Sequence, residues 1–207
     1  MSDGIWLIRH GALPPNPLRR MVGARDIPMS PAGYAQVRLL AAELECIKDG
    51  HIVAIITSSL QRCRETARIL HQAFPSPLPL HVEPDICEIS LGDWEGRSRE
   101  EICRLWPGAY ATRGLNLATF VPPGGESFRM LQRRVLYALI RWRRRYPQGN
   151  LFVVTHAGVM RALLAHWLAL PLQDALRIPL SYACYCYLPY EHNQHIPMHT
   201  EELPHAL

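Results

Sequence analysis

The sequence predicts an α/β fold in which a mainly parallel sheet is covered by helices on both faces, giving three layers. Short, continuously apolar runs alternate along the chain with longer segments whose apolar residues recur at helical spacing. The chain has 207 residues, 48% of them hydrophobic, which suits one well-cored domain and is too short for two ordinary ones. We therefore expect a single domain over residues 1–190, followed by a polar, proline-containing tail over residues 191–207.

The first half of the chain supplies three of the predicted strands. Residues 4–8, GIWLI, and residues 52–57, IVAIIT, are apolar enough to be buried on both faces of a sheet. Between them, residues 30–47 predict a helix with Ser30 as its N-cap and proline at its first position. A second helix is expected to start at Ser58 or Ser59, and residues 79–84 predict a short third strand.

The second half continues the alternation. Residues 98–120 predict irregular or short helical cover, and an arginine-rich helix follows PPGGES at 122–127, with Ser127 as its N-cap. Residues 150–155, NLFVVT, predict another buried strand, and residues 157–170 predict a helix that ends before a proline. Residues 182–188, YACYCYL, predict a last edge strand. Helical spacing places five arginines mainly on outer faces: Arg133, Arg134, Arg141, Arg144 and Arg145.

Composition argues against several classes of protein. The net charge of +4 comes largely from the arginine-rich helix and is best explained by a solvated face, so no nucleic-acid partner is expected. The N-terminus lacks the features of a signal peptide and no apolar run could span a membrane, so we expect a cytoplasmic protein with reduced thiols. Three histidines of the tail have metal-like spacing, but a metal site is not expected there: His192, His195 and His199.

Cationic side chains follow three of the predicted strands. Arg9 and His10 end the first strand, Arg62 lies in the opening turn after the second, and His156 follows residues 150–155. Because ligands bind beyond the carboxyl ends of parallel strands, we expect these side chains to converge at one edge of the sheet. Glu88, just after the short third strand, adds a carboxylate near the same edge.

Two arginines and two histidines at one place favour a tetrahedral dianion, since guanidinium groups offer forked donors to phosphate oxygens. The backbone N–H groups of Ala157 and Gly158, at a helix start, add donors for an anion. This set of residues requires neither a metal nor a cofactor, because a histidine can attack phosphorus itself. A carboxyl group could protonate the leaving oxygen; Glu88 is the preferred candidate, with Glu95 and Glu126 as alternatives.

Five motifs in this order resemble the histidine phosphatase superfamily, which includes the cofactor-dependent phosphoglycerate mutases: LIRHG, SSLQRCRETA, EISLGDWEG, GGES and VVTHAGVMRALL. The likeness covers about residues 5–170 and implies a phosphoglycerate mutase-like fold. It implies that His10 is the phosphorylated nucleophile and Glu88 the general acid. It also implies four side chains that contact the phosphoryl group: Arg9, Arg62, His156 and Asn16.

The short interval between Glu88 and His156 leaves little room for the extended lid of the mutases, so a phosphatase acting on a small phosphorylated metabolite is favoured. VGARDIPMSPAG and PPGGESF most resemble α-ribazole phosphatases, which act on a precursor of cobalamin's lower ligand. A phosphoglycerate mutase, a broad-range sugar-phosphate phosphatase and a phospho-ligand binding protein remain alternatives, and the oligomeric state stays open, a homodimer included. Ala12-Leu13 replaces the acidic and hydroxyl residues found in many relatives, and Arg25 is a candidate for a compensating substrate contact.

Overall fold

The computed structural model describes residues 3–45 and 51–190, which contain a five-stranded sheet. Its strands are β1 (Gly4–Arg9), β2 (Ile52–Thr57), β3 (Leu80–Val82), β4 (Asn150–Thr155) and β5 (Tyr185–Pro189). The spatial order is β3-β2-β4-β1-β5, and only the pairing of β5 with β1 is antiparallel. The prediction of a mainly parallel sheet with a late edge strand is confirmed.

Helices cover both faces of this sheet. They are α1 (Pro31–Glu45), α2 (Gln61–Ala73), α3 (Arg99–Leu105), α4 (Ala109–Leu115), α5 (Phe128–Arg145) and α6 (Ala157–Trp167). Trp6 and Ile8 of β1 belong to the core beneath α1 and α2, whereas Ile5 and Leu7 belong to the core beneath α5 and α6. Since alternate residues of one strand face opposite sides, the three-layer prediction is confirmed.

Polar side chains cap two of the helices as predicted. Ser30 Oγ accepts a hydrogen bond from the backbone N–H of Gly33 at 3.1 Å, and Ser127 Oγ accepts one from Met130 N at 3.2 Å. These bonds satisfy N–H groups that have no partner within the helix. Ser30 and Ser127 thus mark the points at which α1 and α5 begin.

Several predicted boundaries differ from the observed ones, among them the start of α2, the start of β5 and the end of α6, which lies at Trp167 and not at residue 170. Helix α2 begins at Gln61, later than Ser58 or Ser59: its N-cap is Leu60, and the Ser58 hydroxyl accepts from both Leu60 N and His156 Nε2. Strand β5 begins at Tyr185, because Ala183 has a φ of 53°, which is incompatible with extended backbone. The predicted end of α1 at residue 47 lies outside the described residues.

The outward placement of the arginines on α5 is correct for four of the five named residues. Arg133, Arg141, Arg144 and Arg145 are exposed, but Arg134 is half-buried against the loop that carries Glu88. Arg134 lies three residues after Leu131, whose side chain is fully buried, so it flanks the apolar stripe of the helix.

The expectations about membranes, metals and thiols can be compared with the structure only in the part of the chain that it describes. Within it, no helix is both long and apolar enough to cross a bilayer, and no cluster of three potential metal ligands occurs. Five cysteines there are free thiols: Cys63, Cys87, Cys103, Cys184 and Cys186. The tail, with its three histidines, lies outside the described residues.

Candidate active site

The two histidines of the predicted site are brought together by the pairing of β1 with β4. Arg9 pairs with Thr155 in the parallel ladder, so the next residues of both strands, His10 and His156, lie side by side. Their ring centroids are 5.2 Å apart, and the residues are only 4% and 0% exposed. The predicted convergence of these two side chains at the carboxyl edge of the sheet is therefore present in the structure.

The proton of the His10 ring is placed by a backbone carbonyl. Nδ1 lies 2.8 Å from Gly11 O, and since that oxygen can only accept, Nδ1 carries the proton and Nε2 keeps its lone pair. Burial lowers the pKa of His10 from 6.5 to about 3; the bond to Gly11 opposes this shift, while the positive charges of Arg62 and Arg9 add to it. His10 is thus neutral at pH 7 and has the form that a nucleophile requires.

His156 has the opposite tautomer. Arg62 Nε donates to its Nδ1 at 3.2 Å, and Nε2 lies 2.8 Å from Ser58 Oγ. Burial lowers the pKa of His156 well below its usual value, and the positive charge of Arg62 lowers it further. In the neutral ring Nδ1 accepts, so Nε2 carries the proton and donates it. One histidine therefore offers a lone pair, and its neighbour holds an N–H donor.

The two arginines are held in different ways. Arg62 is 1% exposed, and its Nη1 and Nη2 donate to the carbonyls of Arg25 and Gly23 at 2.6 and 3.1 Å. Together with the bond from Nε to His156, these bonds use three of its five N–H groups and leave two for a ligand. Arg9 Nη1 donates to Leu180 O at 2.6 Å, and its guanidinium stacks 3.9 Å from the ring centroid of Tyr182. Arg9 Nε is buried without a hydrogen-bond partner among the described residues, so it is a donor available to an anion.

Glu88 lies against the start of α6, directly after His156. Its Oε2 accepts from Gly158 N at 3.1 Å and its Oε1 accepts from Ile89 N at 3.0 Å. A Cβ at position 158 would come closer than 3.0 Å to Oε1, so glycine makes this approach possible. The N–H of Gly158, which the sequence assigned to an incoming anion, thus donates to the Glu88 carboxylate, and Ala157 is buried beside it.

The two alternative carboxylates hold loops in place. Glu95 Oε1 accepts from the backbone N–H groups of Ala24 and Leu91 at 2.8 and 3.0 Å. Glu126 accepts from Ser90 N at 3.0 Å and forms an ion pair with Arg134. Of the three candidates, Glu88 is the carboxylate whose oxygen bonds to the backbone beside the second histidine.

The structure places the Asn16 and Arg25 side chains in loops. Asn16 is exposed, donates to Arg20 O at 2.8 Å and accepts from Arg20 N at 2.9 Å, which closes a turn. The exposed Arg25 guanidinium lies over Gly96, and it is the backbone carbonyl of Arg25 that contacts Arg62. The contacts of these two side chains do not include the histidines, and their expected substrate contacts remain predictions.

Two residues of the site were not predicted. Ser58 is fully buried and bonds to His156; it directly follows β2, just as the two histidines follow their strands, and this shared position could have revealed it. Arg134 donates to the carbonyls on both sides of the Glu88 peptide. Its place beside the buried stripe of α5 is the signal that the sequence offered.

Comparison with known proteins identifies the family of this chain. The profile of the histidine phosphatase superfamily (branch 1) matches residues 5–200. The adenosylcobalamin/alpha-ribazole phosphatase of Salmonella typhimurium strain LT2 is 28% identical over 181 residues, 87% of each chain. The metal-independent phosphoserine phosphatase of Arabidopsis thaliana is 31% identical over 160 residues, 77% of this chain and 66% of its own.

Solved structures show the same likeness. Bacillus stearothermophilus YhfR superimposes with a TM-score of 0.80 at 29% identity, covering 92% of this chain and 93% of its own. Mycobacterial glucosyl-3-phosphoglycerate phosphatase in complex with VO3 superimposes with a TM-score of 0.76 at 26% identity, covering 90% of each chain. The chain belongs to the histidine phosphatase superfamily and is a phosphoric monoester hydrolase.

Proposed function

We propose that this hydrolase works through a phosphohistidine formed at His10. The observation that carries the proposal is the pair of opposite tautomers: Nε2 of His10 has a free lone pair, whereas Nε2 of His156 carries a proton. A neutral imidazole is a competent nucleophile towards phosphorus. The charges of Arg9 and Arg62 would balance the negative charge of the phosphoryl oxygens.

The first step transfers the phosphoryl group to the protein. The lone pair of His10 Nε2 forms the N–P bond as the P–O bond breaks, and the leaving oxygen takes a proton from the protonated carboxyl of Glu88. The carbonyl of Gly11 still accepts the Nδ1 proton and so stabilises the positive ring. In the second step a water oxygen attacks phosphorus, the N–P pair returns to Nε2, and the Glu88 carboxylate takes the water's proton.

For the substrate, we propose a small phosphorylated metabolite and place α-ribazole 5′-phosphate first. The support is the likeness to the Salmonella typhimurium protein and the resemblance of two segments, VGARDIPMSPAG and PPGGESF, to α-ribazole phosphatases. The second candidate is a sugar or hydroxy-acid phosphate, favoured by the likeness to the mycobacterial glucosyl-3-phosphoglycerate phosphatase and the Arabidopsis thaliana phosphoserine phosphatase. A residual mutase activity on phosphoglycerate is the third.

A substrate panel tests this proposal. Phosphate release is measured with chelator present for α-ribazole 5′-phosphate, glucosyl-3-phosphoglycerate, phosphoserine, 3-phosphoglycerate and p-nitrophenyl phosphate, using the wild type and His10→Ala. We expect the highest kcat/KM for α-ribazole 5′-phosphate and no turnover by the variant. A preference for another member replaces the substrate, and turnover that persists in His10→Ala contradicts the mechanism.

A further inference from the structure

Arg134 of α5 binds the segment that carries Glu88 through both terminal nitrogens of its guanidinium. Nη1 donates to Asp85 O at 2.6 Å, and Nη2 donates to Cys87 O and Glu88 O at 2.8 and 3.2 Å. The planar guanidinium of Arg134 thus binds three backbone carbonyls at or before Glu88. The geometry of the fork suits this task, because its donors have fixed relative directions.

Glu126 completes the arrangement from the other side. Its two carboxylate oxygens accept from Arg134 Nε and Nη2 at 3.0 and 2.7 Å, and Oε1 also accepts from Ser90 N at 3.0 Å. Residues 85–90, here called the Glu88 segment, are therefore bound through carbonyls before and at Glu88 and through an N–H after it. The ion pair is largely shielded, with side chains 24% and 13% exposed, so loss of either partner would leave unpaired polar groups.

A neighbouring arginine provides the contrast. Arg141, two turns further along α5, also pairs with this region, through Glu83 and Asp85 at 3.0 and 2.7 Å. Its side chain is 53% exposed, and its partners are the carboxylates of Glu83 and Asp85, away from the Glu88 peptide. Arg141 thus resembles Arg134 in charge and helix but binds no carbonyl beside Glu88.

We propose that Arg134 and Glu126 form a positioning pair that sets where the Glu88 carboxyl lies relative to the leaving oxygen of the bound phosphate ester. The proposal rests on the proposed function, in which Glu88 protonates that oxygen. Arg134 and Glu126 both contact the backbone of the Glu88 segment, and the proposal has them act on Glu88 through it. Their effect on turnover must therefore depend on how much the leaving group needs a proton.

Leaving-group dependence gives the test. The value of kcat/KM reports the step in which the P–O bond breaks, and it is compared for an alkyl phosphate and for 2,4-dinitrophenyl phosphate, whose phenolate leaves without a proton. Glu88→Gln should lose at least about 100-fold on the alkyl ester and only a few-fold on the aryl ester. Arg134→Met should show the same asymmetry, with a loss of about 10- to 100-fold on the alkyl ester, because small displacements of catalytic groups have effects of this size.

Controls separate positioning from folding. Arg134→Lys keeps the charge without the fork and should restore part of the alkyl-ester activity, Glu126→Gln should show a weaker asymmetry, and Arg141→Met should match the wild type on both esters. If thermal unfolding shows that Arg134→Met is not folded, the milder variants Arg134→Lys and Glu126→Gln decide the question.

The possible failures are distinguishable. Equal losses on both esters in the Arg134 and Glu126 variants, beside a clear asymmetry in Glu88→Gln, would overturn the positioning role alone. Equal losses in Glu88→Gln itself would remove the acid from the proposed function, and the positioning role with it.

Discussion

Gly158→Ala is the substitution for which the structure gives the sharpest expectation. The new Cβ would lie less than 3.0 Å from Glu88 Oε1, 3.2 Å from its Cδ and 3.4 Å from Ile89 Cγ2. The carboxyl oxygen must retreat by roughly 1 Å to reach an ordinary van der Waals separation. Since the crowded atom is the end of a flexible side chain, we expect the carboxyl to move and the backbone of α6 to stay.

The expected result is a loss of activity without a loss of stability. A displacement of roughly 1 Å should lower kcat/KM for an alkyl phosphate by about 100-fold. The helix preference for alanine over glycine is worth at most about 1 kcal/mol, so the free energy of unfolding should stay within about 1 kcal/mol of the wild type. Steady-state kinetics and urea unfolding measure the two quantities.

A matched control is available in α4. Gly114 is also a helical glycine, and a Cβ there meets nothing within 4 Å, so Gly114→Ala should leave kcat/KM unchanged and raise the free energy of unfolding by at most about 1 kcal/mol. The reasoning would be refuted if Gly158→Ala kept wild-type kcat/KM on the alkyl ester. It would also be refuted if the activity fell only together with a large loss of stability.

Three further predictions concern protonation, the orientation of the second histidine and the substrate loop. Because the pKa of His10 is lowered in the folded protein, only the unfolded state binds a proton there between pH 6.5 and about 3, and the free energy of unfolding should fall as the pH drops through this range. In urea unfolding, His10→Asn should reduce the slope of that free energy against pH by about 1.4 kcal/mol per pH unit, and an equal slope in the variant and the wild type would contradict the prediction. Ser58→Ala removes the hydroxyl that accepts from His156 Nε2, a nitrogen that also lies 3.4 Å from Cys63 Sγ, and should lower kcat/KM by about 2- to 10-fold, whereas Ser59→Ala should not. Equal effects would argue against a role in orientation. Arg25→Ala keeps the backbone carbonyl that Arg62 binds and should raise the KM for the preferred substrate by about 10-fold if the exposed guanidinium meets it, while an unchanged KM would remove this contact.

The convergence of Arg9, His10 and His156 could be predicted because it follows from topology alone. Side chains at the carboxyl ends of adjacent parallel strands must be neighbours, whatever the details of packing. Ser58 obeys the same rule, but its hydroxyl before a helix has the sequence pattern of an N-cap. The sequence pattern therefore points to a short-range use of this hydroxyl, and the structure adds a long-range one: Ser58 Oγ accepts from both Leu60 N and His156 Nε2.

The role of Arg134 was beyond such reasoning. Its partners are carbonyls of residues 85–88, far away in the chain, and backbone carbonyls carry no sequence signature. The tautomers of the two rings were equally hidden, since they depend on the direction of one carbonyl and one guanidinium. Residue types at strand ends are readable from a sequence, whereas the hydrogen bonds that orient them require the path of the loops.

The most direct test of the proposed mechanism is to trap the phosphorylated protein during turnover. An excess of substrate is mixed with the enzyme, the reaction is quenched in alkali within milliseconds to seconds, and phosphopeptides are mapped by mass spectrometry. The mechanism predicts an acid-labile, alkali-stable phosphate on His10 that appears and decays at rates matching turnover, and none in His10→Asn. Turnover that proceeds with no phosphohistidine at this position, or with the phosphate on another residue, would contradict it.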